Sequence, residues 1–196
     1  IKQNISQTGF TLWELIIVMA IMVILANIGI PALANVTQQK RSVVAATSIE
    51  DSFRYARSEA LRLNAPIFIC GAKFTVNSTL YGCASPDPLD WSAGVLDYVD
   101  YTDSGVFRGN SDKSQLKLTK FENSSVSSVK IFSSYPVYRV DPSSAISIPN
   151  SGSTSDFCFK ITKKINGKDV KSKLKLEKFG NAVYCKDENA KECLGC

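Results

Sequence analysis

Glu14 is the residue whose position in the sequence most clearly calls for a chemical partner. It is the only ionisable side chain among residues 10–34, which are otherwise largely apolar. A carboxylate inside a bilayer is costly, so intramembrane acids usually have a partner and a function. Two interpretations stay open: Glu14 lies near the polar edge of the membrane and remains hydrated, or it makes a specific interaction.

Lysines form the second set of candidate residues. The stretch from Lys160 to Lys178 contains eight lysines and only two acids, Asp169 and Glu177. A hairpin with a lysine-rich face can hold phosphates through non-specific, salt-sensitive contacts. The alternative is an exposed or edge strand whose lysines prevent aggregation. The candidate DNA contacts are Lys163, Lys164, Lys168, Lys171, Lys173 and Lys175.

Six cysteines in a chain of 196 residues favour an oxidising compartment over the cytosol, with free buried thiols as the alternative. Six cysteines admit many pairings, and the sequence does not choose among them. We expect a Cys70–Cys83 bond around a local loop and a Cys193–Cys196 bond at the tail. The CxxC spacing of the second pair also occurs in redox motifs, but no strand–CxxC–helix context surrounds it.

Several kinds of functional site are excluded or disfavoured. The chain contains no histidine, which excludes His-based triads, HExxH zinc sites and histidine acid–base catalysis. It has no glycine-rich phosphate loop. Asp97, Asp100 and Asp103 form an acidic loop with Gly105, but the spacing is not that of an EF-hand, and solvated loop residues are the default. Enzymes that work through carboxylates or lysines are not excluded, but nothing pairs such residues at a telling spacing, so we expect no catalysis, no metal and no cofactor.

Residues 10–35 have the length and composition of a transmembrane helix. About 20 apolar residues cross the roughly 30 Å hydrocarbon layer of a bilayer. A secretory signal peptide is the alternative. The run is long for one, ends in no clear small-x-small cleavage site, and continues directly into an amphipathic helical pattern. A membrane anchor is therefore the favoured interpretation, with Gly29 and Pro31 as the natural kink.

Residues 36–65 continue as an amphipathic helix. Apolar residues recur at steps of three and four, which places them on one helical face. Pro66 stops the pattern, and Asn64 fits a helix end. The expected buried face contains Ala45, Ile49, Phe53, Ala56, Ala60 and Leu63.

Residues 66–196 change to short strands separated by Ser, Asn, Asp, Gly and Pro, which predicts a β-rich globular head. Asn166-Gly167 is a strong signal for a two-residue hairpin. The chain is therefore expected to be an α+β protein with antiparallel sheets. The expected strands are residues 67–76, 94–101, 115–121, 128–132, 145–148, 156–165, 170–179 and 182–185.

The segment around Glu14 resembles the prepilin peptidase site of type IV pilins and type II secretion pseudopilins; it reads Gly9-Phe10-Thr11-Leu12-Trp13-Glu14-Leu15. The resemblance implies a leader of residues 1–9, cleavage between Gly9 and Phe10, and N-methylation of Phe10. It also implies a salt bridge from Glu14 to the Phe10 amine of a neighbouring subunit, in which two groups that are costly in an apolar bundle neutralise one another. Pro31 stands where such pilins commonly carry a proline.

Two further stretches are similar to the GspH/FimT/FimU group of minor pilins and pseudopilins. Residues 55–70 resemble that group's "AR.EA…N.P…C" passage from helix into strand, and residues 90–96 resemble its "W..G" strand. The resemblance implies the pilin fold, a long N-terminal helix packed on an antiparallel head with disulfides. It also implies a Cys158–Cys185 bond. Some relatives are DNA receptors that use a Gly-Arg-x-Arg element, and residues 180–185 lack both arginines.

The function implied by the resemblance is that of a minor pilin of a type IV pilus, incorporated at or near the tip or the initiation complex. The expected partners are other pilins or pseudopilins, prepilin peptidase and, before assembly, the bacterial inner membrane with the head in the periplasm. The mature protein is expected in an extracellular pilus or a periplasmic pseudopilus. The alternatives are a GspH-type pseudopilin of type II secretion, a DNA-binding minor pilin, and a single-pass membrane protein that is never cleaved.

Overall fold

The computed structural model describes residues 11–77, 79–84, 87–107, 114–121, 129–149, 156–165 and 168–196, without the side chains of residues 30–39 and 165. The chain separates into two compact units, residues 1–37 and residues 38–196. One long helix, α1 (Leu12–Leu63), contributes residues to both.

Short strands follow α1 in the second unit. They are β1 (Ile67–Phe74), β2 (Leu80–Cys83), β3 (Gly94–Val99), β4 (Gln115–Lys120), β5 (Val129–Ser133), β6 (Val137–Val140), β7 (Ile146–Ser147), β8 (Phe157–Ile165), β9 (Lys168–Leu176) and β10 (Ala182–Cys185), followed by a 3₁₀ helix at Lys191–Cys193.

Helix α1 ends at Leu63 because the next three residues stop it. Asn64 adopts a positive φ of 49°, a conformation that asparagine tolerates better than most residues. The Ala65 amide donates to the Ala60 carbonyl at 3.3 Å, which is the six-to-one bond of a Schellman motif. Pro66 follows and lacks the N–H that a further turn requires. The helix therefore ends where the sequence predicts.

Two antiparallel sheets form the head. The first has the strand order β4–β3–β1–β6–β7, with β2 paired to the end of β1, and the second has the order β10–β9–β8–β5. β8 and β9 form a long hairpin whose pairing runs from Phe157 opposite Leu176 to Ile165 opposite Lys168. The loop before β3 lies beside β5, where the Trp91 amide donates to a β5 carbonyl at 2.9 Å.

The core of the head lies where α1 packs against both sheets. The expected positions from Ala45 to Ala60 are all buried, and Leu63 is half-buried at the edge of the same cluster. The Phe53 ring centroid lies 5.4 Å from that of Tyr138 on β6 and 6.1 Å from that of Phe159 on β8. Because β6 and β8 belong to different sheets, one side chain of the helix joins the two sheets.

Close packing accounts for two glycines, one against Trp91 and one three residues after it. Trp91 is fully buried, and its ring makes edge contacts with Phe159 at 5.0 Å and with Tyr138 at 5.6 Å between centroids. A Cβ on Gly71 would collide with the Trp91 ring, and a Cβ on Gly94 would collide with the backbone of β4. The short Trp-x-x-Gly pattern therefore marks a packed joint between the loop and the first sheet.

The α+β class with antiparallel sheets is confirmed, but the strands expected from the sequence are incomplete. The sequence pattern does not predict β2 or β6, which are only four residues long. Several expected strands are also shorter in the structure. The largest differences are at residues 145–148, which reduce to β7, and at residues 170–179, where β9 ends at Leu176. The expected turn at residues 166–167 lies outside the described residues, although the strands on either side of it pair as a hairpin.

Replacing Phe53 by alanine is expected to destabilise the head by about 3–5 kcal/mol, because the change leaves a cavity between the helix and two sheets. Chemical unfolding of the full chain in detergent, followed by near-UV circular dichroism, measures the loss. Arg54→Ala is the control at the neighbouring exposed position, where losing the ion pair with Glu50 is expected to cost less than about 1 kcal/mol. Similar losses in both variants would contradict the assignment of Phe53 as the joint.

Candidate assembly surfaces of the helix and head

Reciprocal hydrogen bonds between Thr11 and Glu14 close the first turn of α1. The Thr11 amide and hydroxyl donate to Glu14 Oε2 at 2.8 and 2.9 Å, and the Glu14 amide donates to Thr11 Oγ1 at 3.3 Å. This arrangement is a capping box, and its Thr-x-x-Glu signal in the sequence escapes a search for apolar periodicity. The Glu14 carboxylate thus has a partner within its own chain, next to the positive end of the helix dipole.

The window Leu12–Gly29 is long and apolar enough to cross a membrane, by length and composition. None of it is buried within the structure, and Leu12 and Ile28 are 75% and 69% exposed. Asn27 is a polar residue in the window, but its Nδ2 donates to the Val23 carbonyl at 2.9 Å, so the amide is partly satisfied within the helix. A helix that is apolar on every side requires a bilayer or other apolar helices around it.

Three further residues are expected to act in processing and assembly: Gly9, Phe10 and Pro31. Gly9 and Phe10, between which cleavage is expected, lie outside the described residues. Pro31 lies within α1, among the residues whose side chains are not described. Cleavage, methylation and a role for Pro31 therefore stay predictions.

Arg57 anchors a turn of the head on the helix. Its guanidinium lies directly against Gly180, so a Cβ at that position would collide with it, and Gly180 also has a positive φ of 79°. Arg57 Nε and Nη2 are buried without a hydrogen-bond partner, and burial lowers the pKa of the guanidinium. Gly180 is therefore explained by packing against the helix.

Asp97 is a fully buried carboxyl group at the contact between α1 and the first sheet. Ser52 on the helix donates to its Oδ2 at 3.0 Å, while Oδ1 has no hydrogen-bond partner. Burial raises the pKa of Asp97 to about 7, although the Ser52 hydrogen bond and the charge of Lys117 oppose the rise. Lys117 lies opposite Asp97 in the β3–β4 register, and its Nζ sits 5.2 Å from the centre of the Tyr55 ring on the helix. No sequence pattern points to this cluster.

The acidic loop after β3 is structural within the described residues. Partial burial favours a raised pKa for Asp100, but hydrogen bonds from Thr102 and Ser104 lower that pKa below its ordinary value. Asp103 makes a two-pronged ion pair with Arg139 on β6, at 2.7 and 3.1 Å. Asp97 instead faces the helix. The three carboxylates do not converge, and no cluster that could hold a metal occurs in the described part of the chain.

All six cysteines are paired, and two of the three expected pairings are wrong. Cys70 bonds to Cys83 as expected. The expected bonds Cys158–Cys185 and Cys193–Cys196 are absent, because Cys158 bonds to Cys196 and Cys185 bonds to Cys193.

Strand order explains the correction. Cys158 lies on β8 and Cys185 on β10, and β9 runs between these strands. Strands are about 4.8 Å apart, so two strands separated by a third lie about 10 Å apart. A disulfide requires Cα atoms closer than about 7 Å, which excludes a direct bond between them. The two tail cysteines each reach one strand instead.

These two bonds fasten the last eleven residues, 186–196, which we call the C-terminal strap. The strap leaves β10, is bonded back to that strand through Cys193, and ends bonded to Cys158 on β8. It therefore crosses β9, where Lys173 Nζ donates to the Cys196 carbonyl at 2.9 Å. Part of the outer face of the second sheet is consequently covered.

The six candidate DNA contacts do not form one open lysine face. Lys173 lies under the strap. Lys175 pairs with Asp156 at 2.7 Å, and Lys171 lies 3.6 Å from Glu188 of the strap. Three of the six candidate lysines, Lys171, Lys173 and Lys175, thus already have partners in the chain.

The other three candidates lie near the end of the hairpin. Lys163 points to the helix, where its Nζ donates to Ser42 Oγ at 3.0 Å. Lys164 and Lys168 are exposed, and neither makes a hydrogen bond or ion pair with another described residue. The hairpin therefore concentrates its unpaired basic groups at the end that adjoins helix residue 42.

Comparisons with known proteins complete these observations. The family model "Type II transport protein GspH" matches residues 45–174. Two solved structures of the Pseudomonas aeruginosa PAO1 type IV minor pilin FimU are similar to the chain. The P21 form has a TM-score of 0.47 and 17% identity, covering 76% of this chain and 90% of that one. The P65 form has a TM-score of 0.44 and 19% identity, covering 72% and 90%. No curated protein matches the chain.

The contribution of Asp97 to the stability of the head is expected to fall as pH rises from 3.8 to about 7, and to change no further above that pH. The folded pKa of Asp97 lies above its ordinary value of 3.8, so in this window the folded chain holds a proton that the unfolded chain has released. That stabilisation is complete below the unfolded pKa and is lost as pH passes the folded one. Chemical unfolding of the full chain at several pH values measures the trend.

Asp97→Asn should remove this contribution, since the group no longer titrates. Between pH 3.8 and about 7, the free energy of unfolding of the variant should fall by a few kcal/mol less than that of wild type. Asp51→Asn, at an exposed helix position, is the matched control and should keep the wild-type slope. Parallel pH curves for wild type and Asp97→Asn would show that Asp97 does not cause the trend.

Proposed function

This chain belongs to the GspH family and has the pilin fold, and from this premise we propose that it is a minor pilin of a type IV pilus. In this proposal prepilin peptidase trims the chain, which then enters the filament at or near the tip or in the complex that initiates assembly. The family and fold are those of structural subunits, so the mechanism is assembly rather than catalysis.

The observation that carries the proposal is the difference in burial between the two halves of α1. None of the residues Leu12–Gly29 is buried within the chain, while Ile49 and Phe53 of the same helix are buried in the head. A segment like the first is soluble only in a bilayer or in a bundle of similar helices. A subunit that moves from a membrane into a filament core meets both environments in turn.

Glu14 supplies the polar contact of this mechanism. Its carboxylate accepts hydrogen bonds from Thr11 in the isolated chain, which lowers the cost of holding it in apolar surroundings. Cleavage after Gly9 creates an ammonium group on Phe10. In the assembled filament, the Phe10 ammonium of a neighbouring subunit replaces Thr11 as the stronger partner, because a charged donor attracts the Glu14 carboxylate more strongly in a dry bundle than a neutral amide or hydroxyl does. The pairing then sets the register between subunits.

A type II secretion pseudopilus is the alternative assembly. A pseudopilus stays in the periplasm, whereas a pilus tip meets the external medium. All six cysteines here are closed into disulfides, and two of these bonds secure the strap. These disulfides suit either assembly, because the bacterial periplasm is itself oxidising. If the chain is a pilus subunit, as proposed here, deleting the gene should reduce surface pili and leave protein secretion unchanged; the reverse result would identify a pseudopilin.

Intact-mass and N-terminal peptide measurements on protein from the native host test the processing step. The mature chain is expected to begin at methylated Phe10, and residues 1–9 should be retained in a strain without prepilin peptidase. An uncut chain in both strains would contradict the proposal and favour a single-pass membrane protein.

Glu14→Ala tests the assembly step separately. The variant should still be cleaved but should be lost from sheared surface filaments by at least about tenfold, since the register-setting charge is missing. Glu50→Ala is the control: it removes a helix acid whose ion pair with Arg54 is on the surface. Equal incorporation of both variants and wild type would remove Glu14 from the mechanism.

A further inference from the structure

A hydrogen bond in the head gathers basic residues from two distant parts of the chain. Lys163, near the end of β8, donates from Nζ to Ser42 Oγ at 3.0 Å, and the Tyr184 hydroxyl donates to the same oxygen at 3.3 Å. Ser42 is fully buried by these contacts. They hold the end of the β8–β9 hairpin beside the helical turn that carries Lys40 and Arg41.

The resulting group is strongly basic, and we call it the basic collar: Lys40, Arg41, Lys163, Lys164 and Lys168. The acid that faces it from the hairpin is Asp169, which lies opposite Lys164 in the strand register. On the helix the next acids are Glu50 and Asp51, more than two turns further along. Within the described residues, no carboxylate lies at ion-pair distance from Lys40, Lys164 or Lys168.

The position of the collar in the chain indicates its partner. Only five residues separate Ala34, the last of the apolar run, from Lys40. Such a short connection limits Lys40 to about 20 Å from the end of that run even when fully extended, and to about 9 Å when helical. Lipid headgroups extend several ångströms beyond the hydrocarbon layer, and their charge acts over a further ~8–10 Å at physiological salt.

We propose that the basic collar binds the phosphate headgroups of anionic lipids and holds the head on the membrane surface before assembly. This inference rests on the membrane anchoring in the proposed function. Polymerisation withdraws the anchor from the bilayer and so releases the contact. The binding is electrostatic and reversible, and it adds no step that changes a covalent bond.

Nucleic acid is the competing polyanion, and the arrangement of the other lysines disfavours it. A duplex or single strand needs a continuous basic track along the hairpin. Lys171, Lys173 and Lys175 would continue the track from the collar, but they are engaged by Glu188, the Cys196 carbonyl and Asp156. Lys40, Lys164 and Lys168 make no ion pair with a described residue, and Lys40 lies only a few residues after the apolar run in the chain.

Lysine acylation of the full chain in lipid vesicles, read by mass spectrometry, tests the proposal. Vesicles of phosphatidylcholine are compared with vesicles containing about one third phosphatidylglycerol, at low salt. The acylation rates of Lys40, Lys164 and Lys168 should fall about fivefold in the anionic vesicles. The effect should disappear near 1 M salt, where the Debye length is about 3 Å. Lys130 and Lys160, exposed elsewhere on the second sheet, are internal controls and should not change.

Paired charge reversals provide the second measurement. Lys40→Glu with Lys164→Glu should abolish the protection of Lys168 by anionic lipid, whereas Lys130→Glu with Lys160→Glu should preserve it. All four positions are exposed, so both variants are expected to fold, and near-UV circular dichroism checks this directly. Preserved protection in a folded Lys40→Glu, Lys164→Glu chain would overturn the proposal.

Two further outcomes are decisive. Equal acylation of the collar in both kinds of vesicle would overturn the lipid contact. Protection by a single-stranded oligonucleotide in phosphatidylcholine vesicles, with none from phosphatidylglycerol, would also overturn it and assign the collar to nucleic acid. A chain never cleaved between Gly9 and Phe10 would contradict the proposed pilin function instead. It would leave the vesicle result interpretable, because the apolar segment still inserts.

Discussion

The burial of one face of α1 between two sheets is the constraint on which the head depends. Ile49 and Phe53 are almost completely buried, and the Phe53 ring contacts residues of both sheets. The sheets share no strand, so their relative position follows from the helix and from the Trp91 loop that lies beside β5. The second half of the helix is therefore part of the head's core rather than a stalk attached to it.

Three charged groups of this chain that are removed from bulk water are held by different kinds of contact. Glu14 is held by the first turn of its own helix, Asp97 by a single serine bond that leaves one oxygen unpaired, and Arg57 by packing against Gly180. Only Glu14 lies in a segment without a core, where a neighbouring subunit can supply a better partner. Asp97 and Arg57 both lie where the helix meets a sheet or turn, so they tie local electrostatics to the integrity of the head.

The spacing of apolar residues correctly predicted the features that depend on nearby residues in the sequence, namely the buried face and the end of the helix. The apolar steps from Ala45 to Leu63 identified the buried helix face, and Asn64 with Pro66 identified its end. The disulfides of the tail could not be predicted, because they depend on β9 lying between the strands that carry Cys158 and Cys185. For the same reason the sequence predicts one charged lysine face. In the structure, strand order and the strap give Lys171, Lys173 and Lys175 partners. Contacts such as Ser52 to Asp97, 45 residues apart, leave no trace in sequence spacing.

The Cys158–Cys196 bond also determines how the head responds to mechanical load. It closes a loop of 38 residues that contains β8, β9 and β10. Fully extended, that length of chain would span about 130 Å. Tension applied through the N-terminal helix cannot extend this length while the bond is intact. Only residues before Cys158 that lie outside the Cys70–Cys83 loop can therefore extend. A pulled subunit would thus lengthen by a limited amount and keep its last sheet strands as a shortened, cross-linked remnant.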